Sequence, residues 1–77
     1  MEITIIAFGQ MAELTGTPGW KLRDITDVTS LKKIIEESYP AVKQIKYLVA
    51  VDKKIMHENA IIPAGATVAL LPPFSGG

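Results

Sequence analysis

A single segment of this chain has the spacing of an amphipathic helix, and this limits the folds open to it. Four apolar residues recur on one helical face within residues 27–39, namely Val28, Leu31, Ile34 and Ile35. Asp27 is a favourable N-cap, because its carboxylate can accept a hydrogen bond from the backbone N–H of Ser30. Pro40 ends the helix, since proline cannot continue it. One helix of this length can cover one face of a sheet and leaves the other face uncovered.

Short runs rich in β-branched and other apolar residues predict β-strands at residues 2–8, 20–25, 48–51, 55–56 and 67–71. A helical turn is expected at residues 11–14, and Thr17-Pro18-Gly19 marks the turn before the second strand. The predicted order is β-β-α-β-β-β. This is an α+β chain with the order of the β-grasp (ubiquitin-like) architecture, a mixed sheet with one main helix across one face. Such an analogy of fold does not by itself imply a function.

Strand alternation divides the apolar residues of the predicted sheet between two faces. The residues expected to face the helix are Ile3, Ile5, Val49, Val51, Val68 and Leu70. The opposite face would carry Thr4, Ile6, Phe8, Leu48, Ala50, Ala69 and Leu71. A contiguous apolar face of this kind usually marks a partner surface. Partial cover by loops, or a second copy of the chain, is the alternative.

The composition is that of a soluble globular domain and argues against several functional classes. With 77 residues the chain has room for one domain. Eight basic residues balance eight acidic ones, so no net field favours nucleic acid or an anionic membrane. No apolar run approaches the roughly 18 residues of a membrane helix. The acidic, alternating start at Met1-Glu2-Ile3-Thr4 is not typical of a secretory signal, and we expect a cytoplasmic protein.

Conventional catalytic and cofactor-binding motifs are missing from the sequence. There is no cysteine, and therefore no thiolate nucleophile and no Cys-based metal site. The one histidine, His57, is the only possible histidine base for a serine nucleophile and cannot form a metal cluster alone. The glycines are scattered and form no phosphate loop. We therefore expect that this chain binds no cofactor and no metal.

The residues after the last predicted strand are the most unusual feature of the sequence. Pro72-Pro73 ends the strand, because neither proline can donate a ladder hydrogen bond, and it holds the exit extended. The segment Phe74-Ser75-Gly76-Gly77 follows. We divide the chain into a globular domain, residues 1–71, and a flexible tail, residues 72–77, which can reach roughly 20 Å. The two glycines fit a channel that admits little more than backbone, and Phe74 is an apolar anchor before them.

A terminal glycine presents an unhindered carboxylate, ionised at neutral pH because an α-carboxyl pKa is about 3.3–3.7. Such a carboxylate is a poor acyl donor until a partner enzyme converts it with ATP into an acyl-adenylate. Sulfur can then be installed as a thiocarboxylate, a soft nucleophile that donates sulfur. A chain with no phosphate loop and no cysteine needs partners for both steps. The alternative interpretation is a frayed end that carries no chemistry.

Three segments of the sequence resemble one family. Residues 65–77, Gly-Ala-Thr-Val-Ala-Leu-Leu-Pro-Pro-Phe-Ser-Gly-Gly, are similar to the ending of the small subunits of molybdopterin synthase, which are ubiquitin-like sulfur carriers. That family ends in Gly-Asp-x-Val-Ala, two apolar residues and Pro-Pro-x-Ser/Thr-Gly-Gly. Residues 8–16 resemble its Phe-Ala-x-x-Arg-Glu-x-x-Gly, and residues 49–52 its Val-Ala-Val-Asn. Three departures from the pattern matter, and they leave the tail unchanged: Ala12 replaces Arg, Ala66 replaces Asp and Asp52 replaces Asn.

The resemblance implies a reaction cycle and a set of partners. An adenylyltransferase of the ubiquitin-activating type would use ATP to adenylate Gly77, and a sulfurtransferase would supply the sulfur of a thiocarboxylate. The tail would then enter the large subunit of molybdopterin synthase, where sulfur passes to a pterin precursor and forms the dithiolene that holds molybdenum or tungsten. The family's synthase is a heterotetramer of two small and two large subunits. Its catalytic side chains would belong to the large subunit.

Gly77 is therefore the predicted reacting residue. The predicted partner-binding residues are Phe8, Leu71, Pro73, Phe74, Ser75 and Gly76. Two other uses of the same end stay open, namely a sulfur carrier for another pathway such as thiamine synthesis, and a protein modifier joined to lysines through Gly77. A plain binding module with an inert tail is a third.

Overall fold

The structure, a computed structural model, describes residues 1–73; the predicted tail tip, Phe74-Ser75-Gly76-Gly77, lies outside the described residues. The elements in chain order are β1 (Glu2–Ala7), α1 (Gln10–Thr15), β2 (Gly19–Arg23), α2 (Val28–Ser38), a 3-10 helix (Pro40–Gln44), β3 (Leu48–Val51), β4 (Lys54–Met56) and β5 (Thr67–Leu71). Within residues 1–73, no helix combines the length and the hydropathy that a membrane crossing requires.

The strands form one mixed sheet in the order β2-β1-β5-β3-β4. The neighbouring strands β1 and β5 run parallel. All other neighbours in the sheet are antiparallel, including the predicted pair of β1 and β2. α1 lies in the connection between β1 and β2, where a helical turn is expected from the sequence. The α+β, β-grasp architecture is confirmed.

The ends of two strands differ from the prediction. Phe8 lies one residue beyond β1, although its backbone N–H still donates to the carbonyl oxygen of Leu70 at 3.1 Å. β2 ends at Arg23, because Asp24 has a φ of 61° and turns the chain out of the extended conformation. The 3-10 helix, which the sequence analysis did not predict, begins at Pro40. Proline suits the first turn of a helix, where its missing N–H would have no partner.

The core lies between α2 and one face of the sheet. All six residues predicted to face the helix are buried, as are Val28, Leu31 and Ile35 of α2. Met11 of α1 and Val42 of the 3-10 helix complete this layer. At the end of α2, the rings of Trp20 and Tyr39 meet edge to face with centroids 5.6 Å apart. The assignment of strand residues to the two faces is therefore correct.

A polar contact also ties α2 to the start of β3. The Tyr47 hydroxyl donates a hydrogen bond of 2.8 Å to Oε2 of Glu36. Burial, and then this carboxylate, raise the pKa of Tyr47 well above its usual range, so the hydroxyl stays a neutral donor. The ammonium of Lys32 lies 5.7 Å from the centroid of the Tyr47 ring. These contacts hold the helix across the sheet.

Asp27 caps α2 as predicted. Its Oδ2 accepts from the backbone N–H of Ser30 at 3.2 Å, and its Oδ1 accepts from the Ser30 hydroxyl at 2.7 Å. The first turn is also held from outside, because the N–H of Thr29 donates to Oδ1 of Asn59 at 2.9 Å. The hydrogen bonds from Ser30, led by that of its hydroxyl, lower the pKa of Asp27 from its usual value of 3.8.

This cap should make stability depend on pH. Because the folded pKa of Asp27 is lowered, its carboxylate stabilises the fold above the unfolded value of 3.8, and this stabilisation is lost as the pH falls through the folded pKa. We expect Asp27→Ala to lower the midpoint of urea unfolding at neutral pH. Asp27→Asn keeps an accepting oxygen that does not titrate, so its midpoint should fall less than that of the wild type as the pH is lowered from neutral to below 3.8. Parallel acid profiles for the two chains would contradict this role.

Candidate functional site

The sheet face opposite α2, called the open face below, is largely apolar. It is formed by Ile6, Phe8, Leu48, Ala50, Ile55, Ala69 and Leu71. Phe8 is 47% exposed and Ile55 42%, while Ile6, Leu48, Ala69 and Leu71 are half-buried. Ala50 is buried, since a methyl group between Ala69 and Ile55 on neighbouring strands is small enough to be covered by them. Among the described residues, part of this face is therefore open, with two of the seven side chains exposed, four half-buried and one buried.

Ile55 also belongs to the open face, although it was not among the residues predicted there from the sequence. The register pairs Ile55 with Ala50, and residues directly opposite each other on antiparallel strands share a face. β4 is only three residues long, so its own alternation gives too weak a signal. The pairing of Ile55 with Ala50 in a β3–β4 hairpin could have indicated that Ile55 belongs to the open face.

The edge of the open face along β2 is charged. The register places Glu2 and Lys21 on this face, because they alternate with the buried Ile3 and with Leu22. The carboxylate of Glu2 lies 3.9 Å from Nζ of Lys21 and 3.6 Å from Nε of Arg23. These exposed pairs add little stability, but they show that the cations at this edge already have an anionic neighbour.

A shallow depression of about 370 Å³ lies on the open face. Its lining is Ile6, Phe8, Asp52, Lys53, Thr67 and Ala69. Side chains from β1 and β5 form its apolar floor, and the turn between β3 and β4 forms its polar rim. The depression is therefore suited to an apolar group that carries a polar neighbour.

Asp52 fixes this rim to the sheet. Its backbone N–H donates to the carbonyl oxygen of Thr67 at 2.9 Å, and its Oδ1 accepts from the N–H of Thr67 at 3.0 Å. The second bond uses a side-chain oxygen, which the Asn common in the resembled family also possesses. The departure at Asp52 is thus compatible with the same local structure. Of the other two departures, Ala66 is buried and Ala12 is half-buried against the core, so both methyl groups pack where the family has a charged side chain.

The tail leaves the domain beside Phe8 and Gly9. β1 and β5 are parallel, so their ends lie at the same edge of the sheet, and this brings Phe8, Leu71 and Pro73 to one end. Pro72 is half-buried and Pro73 is exposed. Of the predicted site residues, Phe74, Ser75, Gly76 and Gly77 lie outside the described residues. The described part of the site is therefore an exit point next to an apolar face.

Gly9 turns the chain after β1, beside the base of the tail. Its backbone has φ 51° and ψ −124°, a combination open to glycine and strained for other residues. A Cβ atom built on Gly9 would lie 3.4 Å from Cγ of Pro72. The absence of a side chain thus permits the backbone turn after β1, while a methyl group there would lie at ordinary contact distance from the tail base.

Replacing Gly9 with Ala should therefore destabilise the domain by up to about 3 kcal/mol. Gly16→Ala is the matched control, because Gly16 has φ 76° and ψ 8° in the left-handed helical region, with open space where the new methyl group would lie. Its cost should be roughly 1 kcal/mol. Free energies of unfolding from urea titrations measure both. An equal or larger loss in Gly16→Ala would show that Gly9 has no special role at the exit.

Among residues 1–73, no group of three or more histidine, aspartate or glutamate side chains is placed to hold a metal ion. His57 is exposed in the segment after β4. The serines at positions 30 and 38 lie on α2, and the hydroxyl of Ser30 is engaged by the Asp27 cap. The described residues therefore offer the apolar open face and the exit point of the tail as candidate functional features.

Comparison with known proteins agrees with this geometry. The sequence matches the ThiS family over residues 5–77, which is nearly the whole chain. The chain belongs to the ThiS family. It is therefore a member of a ubiquitin-like sulfur-carrier family, as its sequence motifs predict.

One relative of this ThiS-family chain is named as a sulfur carrier, and solved structures share the fold of the chain. The chain is 28% identical over 81 residues to a molybdopterin synthase sulfur carrier subunit of Arabidopsis thaliana, with 100% of this chain and 84% of the relative covered. Two solved structures share its fold. One, described as molybdopterin converting factor subunit 1 of Pyrococcus furiosus, gives a TM-score of 0.86 at 15% identity, covering 96% of this chain and 99% of that one. The other is small archaeal modifier protein 1 of Methanosarcina acetivorans. It gives a TM-score of 0.81 at 19% identity, covering 99% of this chain and 96% of that one.

Proposed function

We propose that this chain is the sulfur-carrying small subunit of a molybdopterin synthase, with Gly77 as its reacting residue. The observation that carries the proposal is the family match, which extends through the Gly-Gly end at residue 77. The whole of this chain aligns with 84% of the Arabidopsis thaliana relative, which is named a molybdopterin synthase sulfur carrier subunit. The open face and the tail exit at its edge are the surfaces that such a carrier needs.

The proposed chemistry uses the chain as a reagent that is consumed and regenerated. The carboxylate of Gly77 attacks the α-phosphate of ATP held by an adenylyltransferase of the ubiquitin-activating type, and pyrophosphate leaves. The persulfide of a sulfurtransferase then attacks the acyl carbon of the adenylate, and AMP leaves. A second thiol of that partner reduces the acyl disulfide, so the end becomes a thiocarboxylate and the two partner thiols become a disulfide. In this cycle ATP is bound and used by the adenylating partner. We expect this chain to bind no cofactor of its own.

The proposed acceptor is the large subunit of molybdopterin synthase, in a heterotetramer of two small and two large subunits in the cytoplasm. Phe8 and Leu71 of the open face would contact the large subunit. In the tail, Pro73, Phe74, Ser75 and Gly76 would bind along the channel that leads into that subunit. The position of Gly9 supports this arrangement, because the chain turns there after β1 and lies beside Pro72 at the base of the tail. Catalytic side chains would come from the large subunit.

Complementation tests the proposal. In a cell that lacks its molybdopterin synthase small subunit, this chain, expressed together with the large subunit and the adenylyltransferase of its own organism, should restore the activity of a molybdenum-dependent enzyme. The same chain without Gly77 should not. Restoration by the chain lacking Gly77 would rule out the carrier role.

Two other functions share the activated Gly77. The match to the ThiS family is compatible with a sulfur carrier of another pathway, such as thiamine synthesis, and the fold is shared with a small archaeal modifier protein. Rescue of a strain that needs thiamine would favour the first. Lysine-linked conjugates that survive thiol treatment, and that disappear when Gly77 is deleted, would favour the second.

A further inference from the structure

The turn between β3 and β4 holds a lysine in an unfavourable backbone conformation. Val51 pairs with Lys54, so Asp52 and Lys53 are the two central residues of a two-residue hairpin turn. Both have positive φ values, 47° and 74°. Turns of this kind favour Asn-Gly or Asp-Gly, because glycine accepts positive φ without steric cost. Lys53 stands where a glycine would fit better.

The turn itself does not depend on the side chain of Lys53. Asp52 anchors the hairpin through its two hydrogen bonds to the backbone of Thr67. Within the part of the chain that the structure describes, Lys53 takes part in no side-chain hydrogen bond and in none of the ion pairs. Strained residues persist where the surrounding structure holds them in place, and they are often found at functional sites.

The position of Lys53 indicates what its ammonium could contact. Lys53 lines the depression on the open face together with the apolar side chains of Ile6, Phe8 and Ala69. Lys21 and Arg23, at the other edge of the face, both lie near Glu2. Among residues 1–73, Lys53 is thus a cation beside the apolar floor with no carboxylate in salt-bridge range. An anionic group that docks there would be favoured by the lysine, opposed in part by the carboxylate of Asp52 on the same rim, and partly shielded from water by the floor.

We infer that Lys53 is a specificity-determining residue: its ammonium binds a carboxylate of the synthase large subunit, while an adjacent apolar side chain of that subunit fills the depression. This inference rests on the proposed function, which supplies the partner. A depression of about 370 Å³ has room for one large apolar side chain. The pairing of a carboxylate with that side chain selects a partner by charge as well as by shape.

The test measures binding of the purified large subunit from the same organism to four chains by titration calorimetry, at low and at physiological salt. The chains are the wild type, Lys53→Glu, Lys53→Gly and Lys43→Glu. Lys43 is the matched control, because it is exposed and lies in the 3-10 helix on the α2 side of the sheet. We expect Lys53→Glu to bind about tenfold more weakly, or worse, and Lys43→Glu to bind like the wild type. Lys53→Gly should bind more weakly with a smaller salt dependence.

Stability separates a lost contact from a damaged fold. Lys53→Gly should keep or raise the midpoint of urea unfolding, because glycine relieves the positive φ, although it binds more weakly. A lower midpoint in Lys53→Gly would contradict the strain on which the inference rests.

The binding results separate the inference from the proposed function. Wild-type affinity in Lys53→Glu, or equal losses in Lys53→Glu and Lys43→Glu, would overturn the role of Lys53 while the proposed function stands. A wild-type chain that does not bind the large subunit would overturn both. A wild-type dimer that Lys53→Glu converts to a monomer, seen by light scattering, would show that the face is occupied by a second copy and overturn the inference.

Discussion

Deleting Gly77 should abolish ATP-dependent activation of the chain and leave its unfolding midpoint unchanged. The reason is chemical, because the carboxylate that forms the adenylate would move to Gly76, one residue short of the position that the partner's active site is built for. A displacement of one residue is several times larger than the misplacement of about 1 Å that can already cost a hundredfold in rate. A terminal residue contributes little to folding, so urea titrations should give the same midpoint. Pyrophosphate release with the adenylyltransferase measures activation.

Gly76→Ala serves as an intermediate case for the same experiment. It keeps the terminal carboxylate in place, but adds a methyl group in the narrow path and restricts the backbone angles. Its activation should be slower than that of the wild type and faster than that of the chain lacking Gly77. Full activation of the deleted chain would show that the adenylyltransferase does not recognise the end at Gly77, and would remove the basis of the proposed cycle.

Phe8→Asp should weaken binding to the adenylyltransferase or to the large subunit by about 3 kcal/mol, or roughly a hundredfold. The ring of Phe8 is 47% exposed on the open face, so a carboxylate there remains hydrated in the free chain. In a complex the same carboxylate would lose its water without gaining a partner, and that loss is the cost. Leu71→Asp should act in the same direction. Titration calorimetry with each purified partner gives the affinities, and circular dichroism confirms the fold.

The control for Phe8→Asp is Ile61→Asn. Ile61 is 78% exposed and lies outside the open face, in a bridge opposite Asp27. A neutral replacement is used because a second carboxylate opposite Asp27 would disturb the helix cap. Binding that is equally weak in both variants would mean that any exposed apolar residue matters, and binding that is unchanged in Phe8→Asp would exclude the open face as the docking surface. Unfolding of Leu71→Asp would show that Leu71 is needed by the core.

The sequence predicted the sheet faces and the helix well because both depend on short-range periodicity. Val28, Leu31 and Ile35 share one side of a helix whatever the rest of the chain does, and Asp27 needs only Ser30, three residues away, to form its cap. Alternation in β1, β3 and β5 likewise fixes which side chains face α2. These features follow from local geometry, and the structure confirms them.

What the sequence did not predict depends on contacts between distant segments. Gly9 lies beside Pro72, 63 positions later, and Asp52 bonds to the backbone of Thr67. Ile55 joins the open face only through its register with Ala50. The positive φ of Lys53 follows from a two-residue turn whose length is set by pairing on both sides. The motif at the end of the chain indicated the chemistry, whereas the exit geometry and the depression beside Lys53 required the folded chain.

The carrier role of Gly77 is best tested by the intact mass of the chain after incubation with ATP, the adenylyltransferase and a sulfur donor. We expect the mass to rise by the difference between one sulfur and one oxygen atom, and fragmentation to place the change at Gly77. The product should then transfer its sulfur to the pterin precursor in the presence of the large subunit, whereas the carboxylate form should transfer none. An unchanged mass in the presence of an adenylyltransferase that releases pyrophosphate with this chain, or a sulfur atom located anywhere other than Gly77, would contradict that role.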